Sequence, residues 1–374
     1  MYKIAAAAVA CLTLVAGAAP AGAAPATGPD AAGAARLRLA WAAGPAAAGI
    51  QTAPVYLAGS TYHVEGVADP EKLRSLIRVV RRDAGTGRRL PFATGAVESI
   101  AGYPPVADGR SLFVTTFREE TRLWAFHPDG RVLWSRNQPG ELFPHPPLRA
   151  GAYLITASKS GCDVECDHNT VFAWHADDGR PAWSYRLPGG YLKLAAAAGQ
   201  VAVRTDTLTV LDTGTGERLW SRPAEGGGIA VDDTHAYVAD GSLRAYRVTD
   251  GSPAWAGEDA GYTAAYPSRY GIFTTSGQRL AAYDLTGRRR WWSAIHPRTT
   301  LTVDGGVVYF QQSPTRRGAA YLIAMRASNG AVLSRVRIWG RPSVGDVAVG
   351  GGRVFTKALL EKIVAFAPAD ARSR

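Results

Sequence analysis

One pattern recurs along the chain and limits its fold more than any other feature: a Leu-x-Ala-aromatic run, a short turn ending in Gly, and a Trp four residues after that Gly. Leu123-Trp124-Ala125-Phe126 leads through Asp129-Gly130 to Trp134, and Val171-Phe172-Ala173-Trp174 leads through Asp178-Gly179 to Trp183. Leu208-Thr209-Val210-Leu211 reaches Trp220 by way of Gly216, Leu243-Arg244-Ala245-Tyr246 reaches Trp255 by way of Gly251, and Leu280-Ala281-Ala282-Tyr283 reaches Trp291 by way of Gly287. Two worn copies lacking the Trp flank these: Thr86-Gly87 followed by Leu90-Pro91, and Leu322-Ile323-Ala324-Met325 with Asn329-Gly330 followed by Leu333-Ser334. A β-branched or aromatic run precedes each motif, as in Tyr153-Leu154-Ile155 and Val307-Val308-Tyr309-Phe310.

Each unit holds four short strands separated by turn residues, and its Gly accepts the positive φ needed where the third strand folds back into the fourth. A lone four-stranded sheet cannot bury both faces, so such units must stack on their neighbours. Regular repeats of about 35 to 50 residues with this content predict a propeller. Trp41, after Leu37-Arg38-Leu39, lacks a Leu-x-Ala strand of its own, and Ile363-Val364-Ala365-Phe366 lacks a following Trp. Joined, they complete one unit and leave no free edge. The expectation is an all-β, eight-bladed propeller of four-stranded antiparallel blades over residues 37–368, closed by its N- and C-terminal strands.

These motifs resemble the PQQ-like repeats of quinoprotein dehydrogenases and of the BamB-type outer-membrane assembly propellers, which share the Ala-aromatic, Thr-Gly and Trp signature. The resemblance spans roughly residues 37 to 368. It implies a fold and leaves the function open, because one blade type serves enzymes, scaffolds and binding modules.

Ahead of the repeats, Lys3, the apolar run at residues 4–17 and the triplet Ala21-Gly22-Ala23 predict an export signal over residues 1–23. Residues 24–36 read as a flexible Ala/Gly/Pro lead-in and 369–374 as a short tail. The apolar run falls short of the roughly 20 residues that a spanning helix needs, and no later stretch approaches that length. A secreted or extracytoplasmic monomer without a transmembrane segment is expected. Ala8-Val9-Ala10-Cys11 offers a second reading, lipid attachment at Cys11. The net charge of +11 rests mainly on Arg. Without a nucleic-acid motif, and with an export signal, it excludes nucleic acid and leaves acidic cell-wall polymers or anionic lipid surfaces as electrostatic partners.

Candidate chemistry is sparse. The fixed place of Trp41, Trp134, Trp183, Trp220, Trp255 and Trp291 in the repeat points to packing between blades, as in the family. The quinoprotein enzymes carry adjacent cysteines beside the quinone and hold Ca²⁺ with acidic and amide side chains. This chain has no adjacent Cys pair and no Cys-x-x-Cys-His haem motif, so no catalytic, metal or cofactor residue is expected, PQQ with Ca²⁺ being the alternative. Cys162 and Cys166, the two cysteines left after signal removal, are expected to form a disulfide, with a metal site that includes His168 as the alternative. His145 and His296 follow Trp strands and Arg316-Arg317 lies in the seventh unit, all in loops where propellers gather ligand contacts. Arg288-Arg289-Arg290 reads as a solvated turn. The expectation is an exported, non-catalytic scaffold binding an unknown protein or cell-envelope polymer. A PQQ-dependent oxidoreductase and a carbohydrate-binding or carbohydrate-active propeller are the other readings.

Overall fold

Blade 3 shows how one repeat becomes one sheet. Leu148–Ala150, Tyr153–Ser160, His168–His175 and Pro181–Pro188 pair in that order, each antiparallel to the one before. The chain, in a computed structural model, is described at residues 36–45, 48–69, 74–99, 101–118, 120–140, 146–160, 168–189, 192–224, 227–295, 297–312, 320–338, 346–358 and 362–369. Four-stranded sheets of the same order follow as blade 4 (193–223), blade 5 (228–262), blade 6 (264–293) and blade 7 (302–338). In blade 1 (48–98) and blade 2 (101–138) the inner strand is split in two, and blade 1 also has a split outer strand. Prolines explain the gaps: Pro54, Pro91 and the Pro104-Pro105 pair cannot donate to a ladder.

Blade 8 closes the ring. Val347–Gly350, Arg353–Ala358 and Lys362–Pro368 supply its first three strands, and Leu37–Ala43 from the other end of the chain is its outer strand, with Trp41 opposite Ala365. The protein is thus an eight-bladed, all-β propeller. A register shift at the Ala-aromatic step of the third strand, or just before Trp41 in blade 8, recurs in blades 2 to 8. This bulge re-aims the following Trp toward the neighbouring blade.

Among the described residues the core is divided into eight apolar clusters, each drawn from two adjacent blades. Tyr62 turns toward blade 2 and packs with Leu112, Val114 and Phe126. The smallest cluster, Ala84 with Phe355 and Ala365, lies at the seam of blades 8 and 1. Antiparallel order sends the hairpin between the first two strands and the Gly turn between the last two to one side of the disc, here the lower face. The strands on either side of every other connection end on the upper face.

Candidate functional site

The repeat tryptophans sit between blades. The indole nitrogens of Trp41, Trp134, Trp183, Trp220, Trp255 and Trp291 each donate to a carbonyl in the Gly turn of the next blade, at 2.8–3.0 Å. Each ring lies flat on the turn glycine. A Cβ added to Gly216 would stand 2.5 Å from Trp183, and one on Gly251 would stand 2.6 Å from Trp220. Those glycines also have φ of +72° and +69°, so backbone conformation and contact both demand Gly. Two junctions depart from the pattern. Between blades 1 and 2 Phe92 covers Gly130, and the Tyr62 hydroxyl donates to Pro128 O at 2.8 Å. Between blades 7 and 8, Ser334 stands opposite Ala324 where the Trp belongs, and its hydroxyl accepts from Leu37 N at 3.0 Å.

His145, His296, Arg316, Arg317, Cys162 and Cys166 lie outside the described residues, in segments whose flanking strands end on the upper face. What the structure does bring together there is a buried polar network between blades 7 and 8. Asp346, just ahead of the inner strand of blade 8, accepts from Thr300 of blade 7 through its backbone nitrogen (3.3 Å) and its hydroxyl. Gln311 donates to Thr356 and to Lys357 O, and the Thr356 hydroxyl donates to Asp346 O at 3.2 Å. Burial pushes the Asp346 carboxyl above the usual carboxylate range, against the Thr300 hydrogen bonds that favour its charged form. The Tyr266 phenol, on the inner strand of blade 6, is raised by its own burial and further by Asp346, against Thr275, which lowers it.

A second buried cluster fills the seam of blades 8 and 1. His63 and Glu65 alternate with Tyr62 and so face blade 8. His63 Nε2 lies 3.0 Å from Glu65, whose carboxylate also meets Arg78 at 3.3 Å and Arg82 at 3.8 Å. Arg82 reaches Gly44 O in the chain leading out of blade 8 at 2.6 Å. Burial holds the His63 imidazole below its ordinary value although Glu65 opposes this, which favours the neutral ring. Both clusters stitch neighbouring blades, and neither sets two carboxylates against one open space.

A calcium-quinone centre needs several oxygen donors around one cation. Among the described residues no group of three or more His, Cys, Asp or Glu could hold a metal ion. The Gln311 amide beside Asp346 is engaged by Thr356 and Lys357.

The profile of one family, described as outer membrane protein assembly factor BamB, matches residues 71–204 and 120–333. The chain belongs to this PQQ-like family. No curated protein sequence matches it. BamB from Moraxella catarrhalis aligns with this BamB-type propeller at a TM-score of 0.61 and 16% identity, covering 91% of this chain and 100% of its own. The computationally designed Ika8 protein gives 0.61 at 12% identity, over 86% and 96%. Quinohemoprotein alcohol dehydrogenase from Comamonas testosteroni gives 0.60 at 13% identity, over 92% and 78%. Likeness at this identity is likeness of fold.

The BamB-type repeat hid its polar clusters from sequence reading. Asp346, Thr300 and Tyr266 come from three blades, and nothing in their local spacing links them. Glu65 carried a usable signal, since an acid between Val64 and Val67 in a strand-like run is costly to bury unpaired. The sign balance of charge along the chain was also readable, and it is not uniform.

Proposed function

We propose that this propeller is an exported, non-catalytic scaffold that binds a protein of the cell envelope through its upper-face loops. The family match across residues 71–333 carries the reading, and alignment over the whole length of a BamB supports it. The perturbed groups of the two polar clusters support it too, since they serve blade-to-blade contacts.

A photo-crosslinking residue placed at Glu120 or Arg298, both exposed at upper-face strand ends, should capture one and the same envelope protein from living cells. The same residue at Asp178 on the lower face should not. Failure of both upper positions would reject the reading. So would a saturable absorbance change and a higher melting temperature on adding PQQ and Ca²⁺, which would favour the oxidoreductase.

The export reading also proposes that Cys162 and Cys166 are bonded to each other. Thiol titration of the unfolded, unreduced exported protein should then find no reactive thiol. Two thiols with stoichiometric zinc would establish the metal site instead.

A further inference from the structure

Charge is divided sharply between two parts of the chain. Residues 1–262 hold 25 Lys and Arg against 26 Asp and Glu, whereas residues 263–374 hold 17 against 5. The whole excess therefore belongs to blades 6, 7 and 8 and the residues beyond them. On the lower face the division becomes spatial. The turns and hairpins of blades 3, 4 and 5 present Asp177, Asp178, Asp212, Glu217, Asp232, Asp233 and Asp250 against Arg180, Arg218 and Arg247, with Arg180 paired with Asp178 at 2.7 Å. The same positions in blades 6 and 7 present Arg269, Arg288, Arg289, Arg290 and Arg326, all exposed, beside Asp284 and Asp304.

These arginines form one surface. Arg290 donates to Tyr270 O in the blade 6 hairpin at 2.8 Å and to Ser328 O in the blade 7 turn at 3.2 Å, bridging the two blades. Its partners there are carbonyls, which orient the guanidinium and leave its charge uncompensated. Arg269 donates to the Tyr270 hydroxyl at 2.6 Å and covers that ring at 4.8 Å. At the tip of the blade 6 turn stands Leu285, 54% exposed, while its carbonyl is held by Trp255 at 3.0 Å. The turn is thus a fixed support carrying an apolar side chain among cations.

We propose that the lower face of blades 6 and 7 docks on an anionic lipid bilayer. Arginines around an exposed leucine match a surface with phosphate outside and hydrocarbon beneath. A soluble polyanion would use the charges and gain nothing from Leu285. Arg36 and Ala369 meet at the lower end of blade 8, where Ala369 N donates to Arg36 O at 2.7 Å. The protein partner proposed above uses the opposite face, so the two readings stand or fall separately.

Co-sedimentation with vesicles of phosphatidylcholine, alone or with about one third phosphatidylglycerol, tests the proposal. The exported protein should bind only the phosphatidylglycerol vesicles and should leave them as salt rises. Replacing Arg269, Arg288 and Arg289 together by Gln should weaken that binding on the order of a hundredfold. Replacing Arg88, Arg110 and Arg131, exposed on the lower face of blades 1 and 2, removes equal charge and should weaken it only a few-fold. Leu285→Ser should reduce vesicle binding and leave retention on dextran sulfate unchanged. Melting temperatures within a few degrees of the parent identify variants that remain folded. Equal binding to both vesicle types, or equal losses in the two triple variants, would overturn the proposal. Retention on dextran sulfate without any vesicle binding would also overturn it and point to a polymer partner.

Discussion

At the scale of single residues, stability is concentrated where a tryptophan meets a glycine. Trp220 lies on Gly251 and donates to Val248 O, so Trp220→Ala should remove the ring and orphan the carbonyl, lowering stability by about 3–5 kcal/mol. Gly251→Ala should cost at least about 1–2 kcal/mol from its left-handed backbone alone. Chemical denaturation of both variants checks this, and because each breaks the same contact the double variant should lose less than the sum. The inter-blade place of the Trp was legible in the sequence from its fixed count after the Gly of its own unit, although the glycine it covers, Gly251 for Trp220, belongs to the next blade. Phe92 and Ser334 were not, since only the folded ring shows which side chain inherits a missing Trp. His63 adds a pH dependence of definite sign. The folded chain holds it neutral with a lowered pKa, while the unfolded chain titrates it near 6.5. Stability should therefore be lost as pH falls through about 6.5 and below, by up to about 1.4 kcal/mol per pH unit. Asp346 acts oppositely, its raised carboxyl taking up a proton first in the folded state. Melting temperatures from pH 7 to 5 should fall less steeply in His63→Gln than in the parent.

At the scale of strands, the order within each blade followed from turn spacing, and the interruptions followed from proline. The inner strands of blades 1 and 2 break at Pro54 and at Pro104-Pro105, a consequence readable in principle from residues that cannot donate to a ladder. The polar network of Asp346, Thr300 and Gln311 was not readable, because it depends on which blades become neighbours. The strand Lys362–Pro368 lies between Arg353–Ala358 and Leu37–Ala43. Deleting the last 12 residues would take most of it away and leave two edges with lost partners at the closure. That variant should melt far below the parent in circular dichroism and should aggregate on concentration. A parent-like melting curve would mean that the ring does not depend on this strand.

At the scale of the whole molecule, each interface clusters its own apolar residues, and the seam of blades 8 and 1 has the fewest, supplemented by the His63-Glu65-Arg78-Arg82 cluster. The same blade 8 carries the meeting of Arg36 with Ala369, on the face and at the end of the blade where every other blade has a turn. A wheel has no natural first spoke, and here the beginning and end of the chain are no more than a cut in one of eight equivalent bends. A circular permutant with residues 369 and 36 joined by a short Gly/Ser linker, and new termini opened at Thr215 in the exposed bend of blade 4, should fold to the same disc, with a circular dichroism spectrum indistinguishable from the parent. The cyclic order of the blades, and not the bend that is left open, would then define the fold.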